Sequence, residues 1–93
     1  MAATKANELI AVEVKSFLRQ SKVYEMHNAL GQFNTYAFAL KSQEPSRTLY
    51  LAIPENIYLE FFQTNFIKSL VKYYAMHLVI FDPDKKVIVE WIK

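Results

Sequence analysis

The spacing of hydrophobic and polar positions changes several times along this chain, and each change marks an element. Glu8 to Val14 reads Glu-Leu-Ile-Ala-Val-Glu-Val, which is short, β-branched and apolar, as in a buried strand. Ser16 to Ser21 is polar apart from Phe17 and Leu18 and reads as a connection. From Lys22 to Gln43, Val23, Met26, Leu30, Phe33, Ala37 and Leu40 recur at steps of three and four. This pattern predicts an amphipathic helix of about six turns. Gly31 inside it costs roughly 1 kcal/mol relative to Ala, which a close approach to a neighbouring strand would explain. Ser42 to Ser46, with Pro45, ends the helix.

Arg47 to Ile53 returns to a near-continuous apolar strand, and Pro54 then falls at the first turn of a helix, where Pro is tolerated. Ile57 to Phe62 forms a short helical turn. Thr64 or Asn65 caps a further helix, Phe66 to Tyr74. Met76 to Phe81 is the next strand, Asp82-Pro83-Asp84-Lys85 a turn, and Val87 to Ile92 an alternating strand that closes a hairpin. The order is β-α-β-α-β-β. Strands joined through helices pair in parallel with right-handed crossovers, and the last two are antiparallel. The expected class is α/β with a mixed sheet, in a single domain over residues 1–93 with no internal repeat.

Composition narrows this picture without adding chemistry. Hydrophobic residues make up 53% of the chain and aromatics 15%, which places it well away from the disordered class. With 93 residues the stability margin is thin. The net charge of +2 is scattered, so charge alone argues for no nucleic-acid interface. The absence of cysteine excludes disulfides and Cys-based metal sites. The polar N-terminal stretch does not read as a signal peptide, and no run approaches the roughly 20 apolar residues of a membrane span. The expected compartment is the cytoplasm.

Charge on an otherwise apolar strand is the feature that invites chemistry. Glu13 and Lys15 are two apart, so both side chains leave one face. Burying two charges is expensive unless they are used or paired. One reading is an ion pair at a sheet edge. The other is a hydrolytic site in which the carboxylate holds a cation such as Mg²⁺ and the ammonium steadies developing phosphate charge. Glu-x-Lys alone is a weak signal. Gln32 and Tyr36 stand at i and i+4 on the long helix, beside Ala29 and Phe33. That face looks inward, and both side chains are expected to point back toward Glu13 and Lys15. A partly buried polar pair that satisfies itself is the plain alternative. His27 and His77 have no ligand partners at metal spacing and read as structural or exposed. Phe61-Phe62, Tyr73-Tyr74 and Trp91 suit packing, and Lys68, Lys72, Lys85 and Lys86 form at most a modest basic rim.

Five ordered blocks go further. Ala-Val-Glu-Val-Lys-Ser-Phe, Asn-Ala-Leu-Gly-Gln-Phe-Asn-Thr-Tyr, Leu-Tyr-Leu-Ala-Ile-Pro, Phe-Phe-Gln, and Leu-Val-Ile-Phe-Asp-Pro with Val-Ile-Val-Glu-Trp-Ile closely resemble the XisH family from about Ile10 to Lys93. Its members are cyanobacterial proteins described as controlling factors for excision of the fdxN DNA element. The resemblance implies a restriction-endonuclease-like fold of the PD-(D/E)xK superfamily. Glu13 and Lys15 would be its (D/E)xK half, and Gln32 and Tyr36 its Q-x-x-x-Y helix motif. Family members carry a further N-terminal helix and a strand with an acidic residue. This chain reads as lacking both, as a partial, N-terminally short copy. Its one earlier acid, Glu8, lies at an odd offset of five from Glu13 and points to the opposite face. The metal site implied for Glu13 is therefore incomplete, and the Ile10–Val14 edge is expected to be open and to invite self-association.

Three functions follow: an accessory DNA-binding factor in excision, a Mg²⁺-dependent endonuclease using Glu13 and Lys15, or an interaction module. In the last, the terminal hairpin near Trp91 would pair with an XisI-like protein, since XisH-like proteins are often encoded beside one.

Overall fold

The computed structural model describes the backbone of residues 2–5 and the whole of residues 8–18 and 20–93. Its elements run β1 (Ala2–Lys5), β2 (Glu8–Val14), α1 (Lys22–Gln43), β3 (Thr48–Pro54), α2 (Glu55–Glu60), α3 (Asn65–Tyr73), β4 (His77–Asp82) and β5 (Val87–Ile92). Five strands form one sheet in the order β1-β2-β3-β4-β5. The inner pairs β2–β3 and β3–β4 are parallel, and the outer pairs are antiparallel. Two right-handed crossovers that step in the same direction must lie on the same side of a sheet. Accordingly α1, α2 and α3 all pack on one face, and the domain is a two-layer mixed α/β structure.

The main core lies between these layers. Leu49, Leu51, Ile53, Leu78 and Ile80 from the inner strands meet Met26, Ala29 and Phe33 of α1, Ile57 of α2 and Ile67 of α3. The alternate residues Ile10, Tyr50, Ala52 and Val79 form a smaller cluster on the opposite face, supported by Val12, Phe81 and Trp91.

The bounds of β3, α3 and β4 each shift by one residue from the pattern's expectation, and two differences are larger. Pro54 ends β3 and is the N-cap of α2 in an extended conformation, with φ −65° and ψ 146°, rather than occupying the first turn. Its fixed φ suits both roles, so α2 begins at Glu55 and not at Ile57. The larger correction is β1. No strand was expected before Glu8, yet Ala2–Lys5 pairs antiparallel with β2, from Ala2 opposite Ala11 to Lys5 opposite Glu8. The β2 edge expected to be open is thus covered. The missed strand has the sequence Ala-Ala-Thr-Lys, with one β-branched residue and no apolar alternation, so pairing with a neighbour and not intrinsic preference makes it a strand. It carries no Asp or Glu, so no second acid joins Glu13 from it.

Candidate functional site

The site forms where β2 ends beneath α1. Glu13 lies opposite Leu51 in the β2–β3 register and therefore faces the helical layer. Lys15, just past the end of β2, still donates its backbone N–H to the carbonyl of Ala52 at 2.9 Å, which extends the pairing and fixes the side chain on the same side. The two charges are 3.8 Å apart, each about a quarter exposed. The same-face expectation is met, and the pair sits at the rim of the core and not inside it. Partial hydration keeps the cost of both charges low.

Phe17 holds the loop beyond Lys15. Its backbone is left-handed, φ 55°, an uncommon state for a non-Gly residue. Burial of its ring offsets that strain: it lies edge-on to Phe62 at 5.6 Å and tilted against Phe61 at 6.1 Å. The aromatic anchor sets how the chain leaves β2 and enters α1. The helix opens at Ser21, whose Oγ accepts from the N–H of Tyr24 at 3.2 Å, a side-chain cap.

α1 brings the remaining candidates alongside. Tyr36 and Glu13 line one cavity of about 340 Å³, together with Ala39, Leu40 and Gln43. Gln32 and Lys15 line an adjoining polar cavity of about 240 Å³ with Phe17, Glu25 and Asn28. All four candidates are therefore gathered at one end of β2. The inward orientation expected of Gln32 and Tyr36 does not hold, because both are exposed. The buried stripe of α1 is Met26, Ala29 and Phe33. Asn28, Gln32 and Tyr36 form the neighbouring i, i+4, i+8 stripe along the margin of the helix.

Gly31 also departs from expectation. A Cβ placed on it would meet nothing within 4 Å, so no strand approaches it. His27 is exposed, as expected. His77 is half-buried, and its Nδ1 has no hydrogen-bond partner among the described residues. Sequence reasoning missed Glu25 and Asn28. Their signal was available in the four-residue spacing from Asn28 to Gln32. Phe17 was passed over as part of a connection.

A divalent cation would need several oxygen ligands. Among the described residues no three His, Cys, Asp or Glu side chains converge on one point, and Glu13 is already engaged with Lys15. What the arrangement offers is one ammonium paired with the Glu13 carboxylate, with the Glu25 carboxylate and two amides lining its cavity and a phenol lining the cavity of Glu13.

The fold and site define a class: a two-layer mixed α/β domain with an acid–lysine pair at the end of an inner strand and a polar helix stripe beside it. The chain belongs to the XisH family, whose model, described as XisH protein, matches residues 1–89. It is similar to the crystal structure of an XisH family protein from Nostoc punctiforme PCC 73102, at 46% identity and a TM-score of 0.95, with 99% of this chain and 73% of that one covered. A structure of a fdxN element excision controlling factor protein from Anabaena variabilis matches at 45% identity and a TM-score of 0.94, covering 99% of this chain and 72% of that one. No curated protein matches the chain. Among the described residues, no helix is long and apolar enough to cross a membrane.

Proposed function

We propose that this chain is an accessory DNA-transaction protein on a restriction-endonuclease-like fold, acting as a controlling factor in excision of the fdxN element, the role by which its Anabaena relative is described. The observation that carries this reading is the polar cavity in which the Lys15 ammonium adjoins the Asn28 and Gln32 amides. The cavity also holds the Glu25 carboxylate, and Lys15 with the two amides beside it supplies the cation and neutral donors that suit a phosphate of the DNA backbone, where amide and hydroxyl side chains commonly add to Lys or Arg contacts. Glu13 lies 3.8 Å from the Lys15 ammonium as its ion-pair partner.

Affinity for duplex DNA, measured against salt concentration, tests this. A negative slope is expected, and Lys15→Ala should reduce its magnitude by about 1. A wild-type slope near zero refutes backbone contact. Incubation with plasmid and Mg²⁺ separates this reading from the endonuclease: no cleavage is expected, and cleavage abolished by Glu13→Ala would replace the binding role with an enzymatic one. An XisI-like partner would find an available strand edge at β5, which pairs only with β4 among the described strands and exposes Val87, Ile88 and Val89. Co-expression with such a partner should give one species on size exclusion, and separate elution would remove that part of the reading.

A further inference from the structure

A shallow depression lies along the outside of α1, lined by His27, Asn28, Gly31, Gln32, Thr35 and Tyr36, with a volume of about 440 Å³. It shares Asn28 and Gln32 with the Lys15 cavity and Tyr36 with the Glu13 cavity. At its middle stands the chain's single glycine. A glycine in a helix interior is a stability cost, and here no packing contact requires it, since a Cβ would enter open space. Thr35 donates its hydroxyl back to the Gly31 carbonyl at 2.8 Å, which ties that side chain to the helix rather than across the opening. The space over Gly31 is thereby kept clear.

We propose that this groove seats the sugar-phosphate backbone of a nucleic-acid strand leaving the Lys15 site, with Gly31 as the point of closest approach. The inference rests on the DNA-binding reading above and extends it to a path and a steric determinant. The lining decides the occupant. Its lining holds no carboxylate and no Leu, Ile, Val, Met or Phe, only the Tyr36 ring among polar side chains. Asn28 and Gln32 present amide donors on successive turns, and the Tyr36 ring, close to half exposed, can stack on a base. A helix surface without a Cβ lets a phosphodiester come closer than any other residue would allow.

Substitution at Gly31 gives a signature that a structural role would not. Gly31→Ala should raise the melting temperature by about 4 °C, because Ala is the better helix former and meets no neighbour. The same variant should weaken DNA binding about threefold, and Gly31→Leu about tenfold, through steric displacement and the loss of the amide contacts beside it. The salt slope should not change in either, since an uncharged groove releases no counterion. Asn34→Ala, on α1 but outside the groove, is the control and should bind as the wild type does. If wild-type chain binds DNA and Gly31→Leu binds equally well, the groove proposal is overturned while the Lys15 reading stands. If wild-type chain shows no salt-dependent binding, both fall together.

Discussion

Along β3, Leu49, Leu51 and Ile53 face the helices while Tyr50 and Ala52 face away from them. All five are buried, yet the two faces are finished differently. On the helical face the apolar layer is continuous, and Glu13 near the end of β2 and Lys15 just past it sit at its rim where water still reaches them. On the opposite face the Tyr50 ring packs edge-on against Trp91 at 5.2 Å and tilted against His77 at 5.5 Å. There, the Tyr50 hydroxyl and His77 Nδ1 are buried without a hydrogen-bond partner among the described residues. The buried layer on the helical face is apolar, while the other face carries polar atoms whose desolvation no hydrogen bond among the described residues offsets. Stability should therefore be concentrated on the helical face, with polar tuning available on the other.

The strongest test is a truncation on the helical face. Leu51 is fully buried, so Leu51→Ala should lower unfolding stability by about 2–5 kcal/mol, read from urea denaturation. For a small domain that is a large share of the total. A loss below 1 kcal/mol would mean that this face is not the main core. The matching change on the opposite face is Tyr50→Phe, which removes only the unpartnered hydroxyl. It should be neutral or stabilising by up to about 1 kcal/mol. A marked loss would show that the hydroxyl is satisfied in solution and would break the contrast.

Tyr50 also predicts a pH dependence. Burial first, and then the charge of Glu8, raise its hydroxyl above the ordinary value of 10.0, with Lys93 acting in the opposite sense. The folded chain thus holds this proton more firmly than the unfolded chain does. Its contribution is complete below pH 10.0 and is lost as pH rises toward the folded value. Melting temperature should fall more steeply above that pH in the wild type than in Tyr50→Phe, and identical alkaline profiles would exclude Tyr50 as the cause.

At the rim, Glu13→Gln should change stability by less than about 1 kcal/mol, since the partly exposed pair is loosely made. DNA affinity without Mg²⁺ should rise a few-fold, because the change removes a negative charge beside the phosphate site and releases Lys15. Weaker binding would mean that the carboxylate positions the lysine more than it repels the backbone.

The chain's pattern made much of this legible. The bounds of β2, α1 and β5 follow from the Glu8–Val14 run, the three-and-four spacing from Val23 to Leu40, and the alternation after Lys86. Glu13 and Lys15 share a face as strand periodicity requires. Other features depend on contacts that no local pattern encodes. β1 is a strand because β2 offers it an edge. Arg47, read from sequence as the start of a strand, lies before β3, where its guanidinium donates to the Ile10 carbonyl at 2.6 Å and pairs with Glu44 at 3.0 Å. Gln32 and Tyr36 were placed beside the right strand but turned inward, because Ala29 and Phe33 define the buried stripe and a step of one residue rotates a helical side chain by about 100°. Gly31 shows the same limit: a glycine against a strand and a glycine with open space above it look alike in sequence.

The smallest expected effect concerns the edge of the polar face, where the Lys93 ammonium meets the Glu8 carboxylate at 3.2 Å. Lys93 is more than half exposed, so the pair is well screened, and Lys93→Ala should change stability by no more than about 0.5 kcal/mol. Its effect on Tyr50 is more informative. Lys93 is the charge that draws the Tyr50 hydroxyl downward, against burial and Glu8. Without it, ionisation of Tyr50 should move further up, and an alkaline titration followed by tyrosinate absorbance should show one tyrosine shifted relative to the wild type. Tyr50→Phe in the same background should abolish that difference. A shift that survives would assign it to another tyrosine and place the Glu8–Lys93 pair out of electrostatic reach of the buried face.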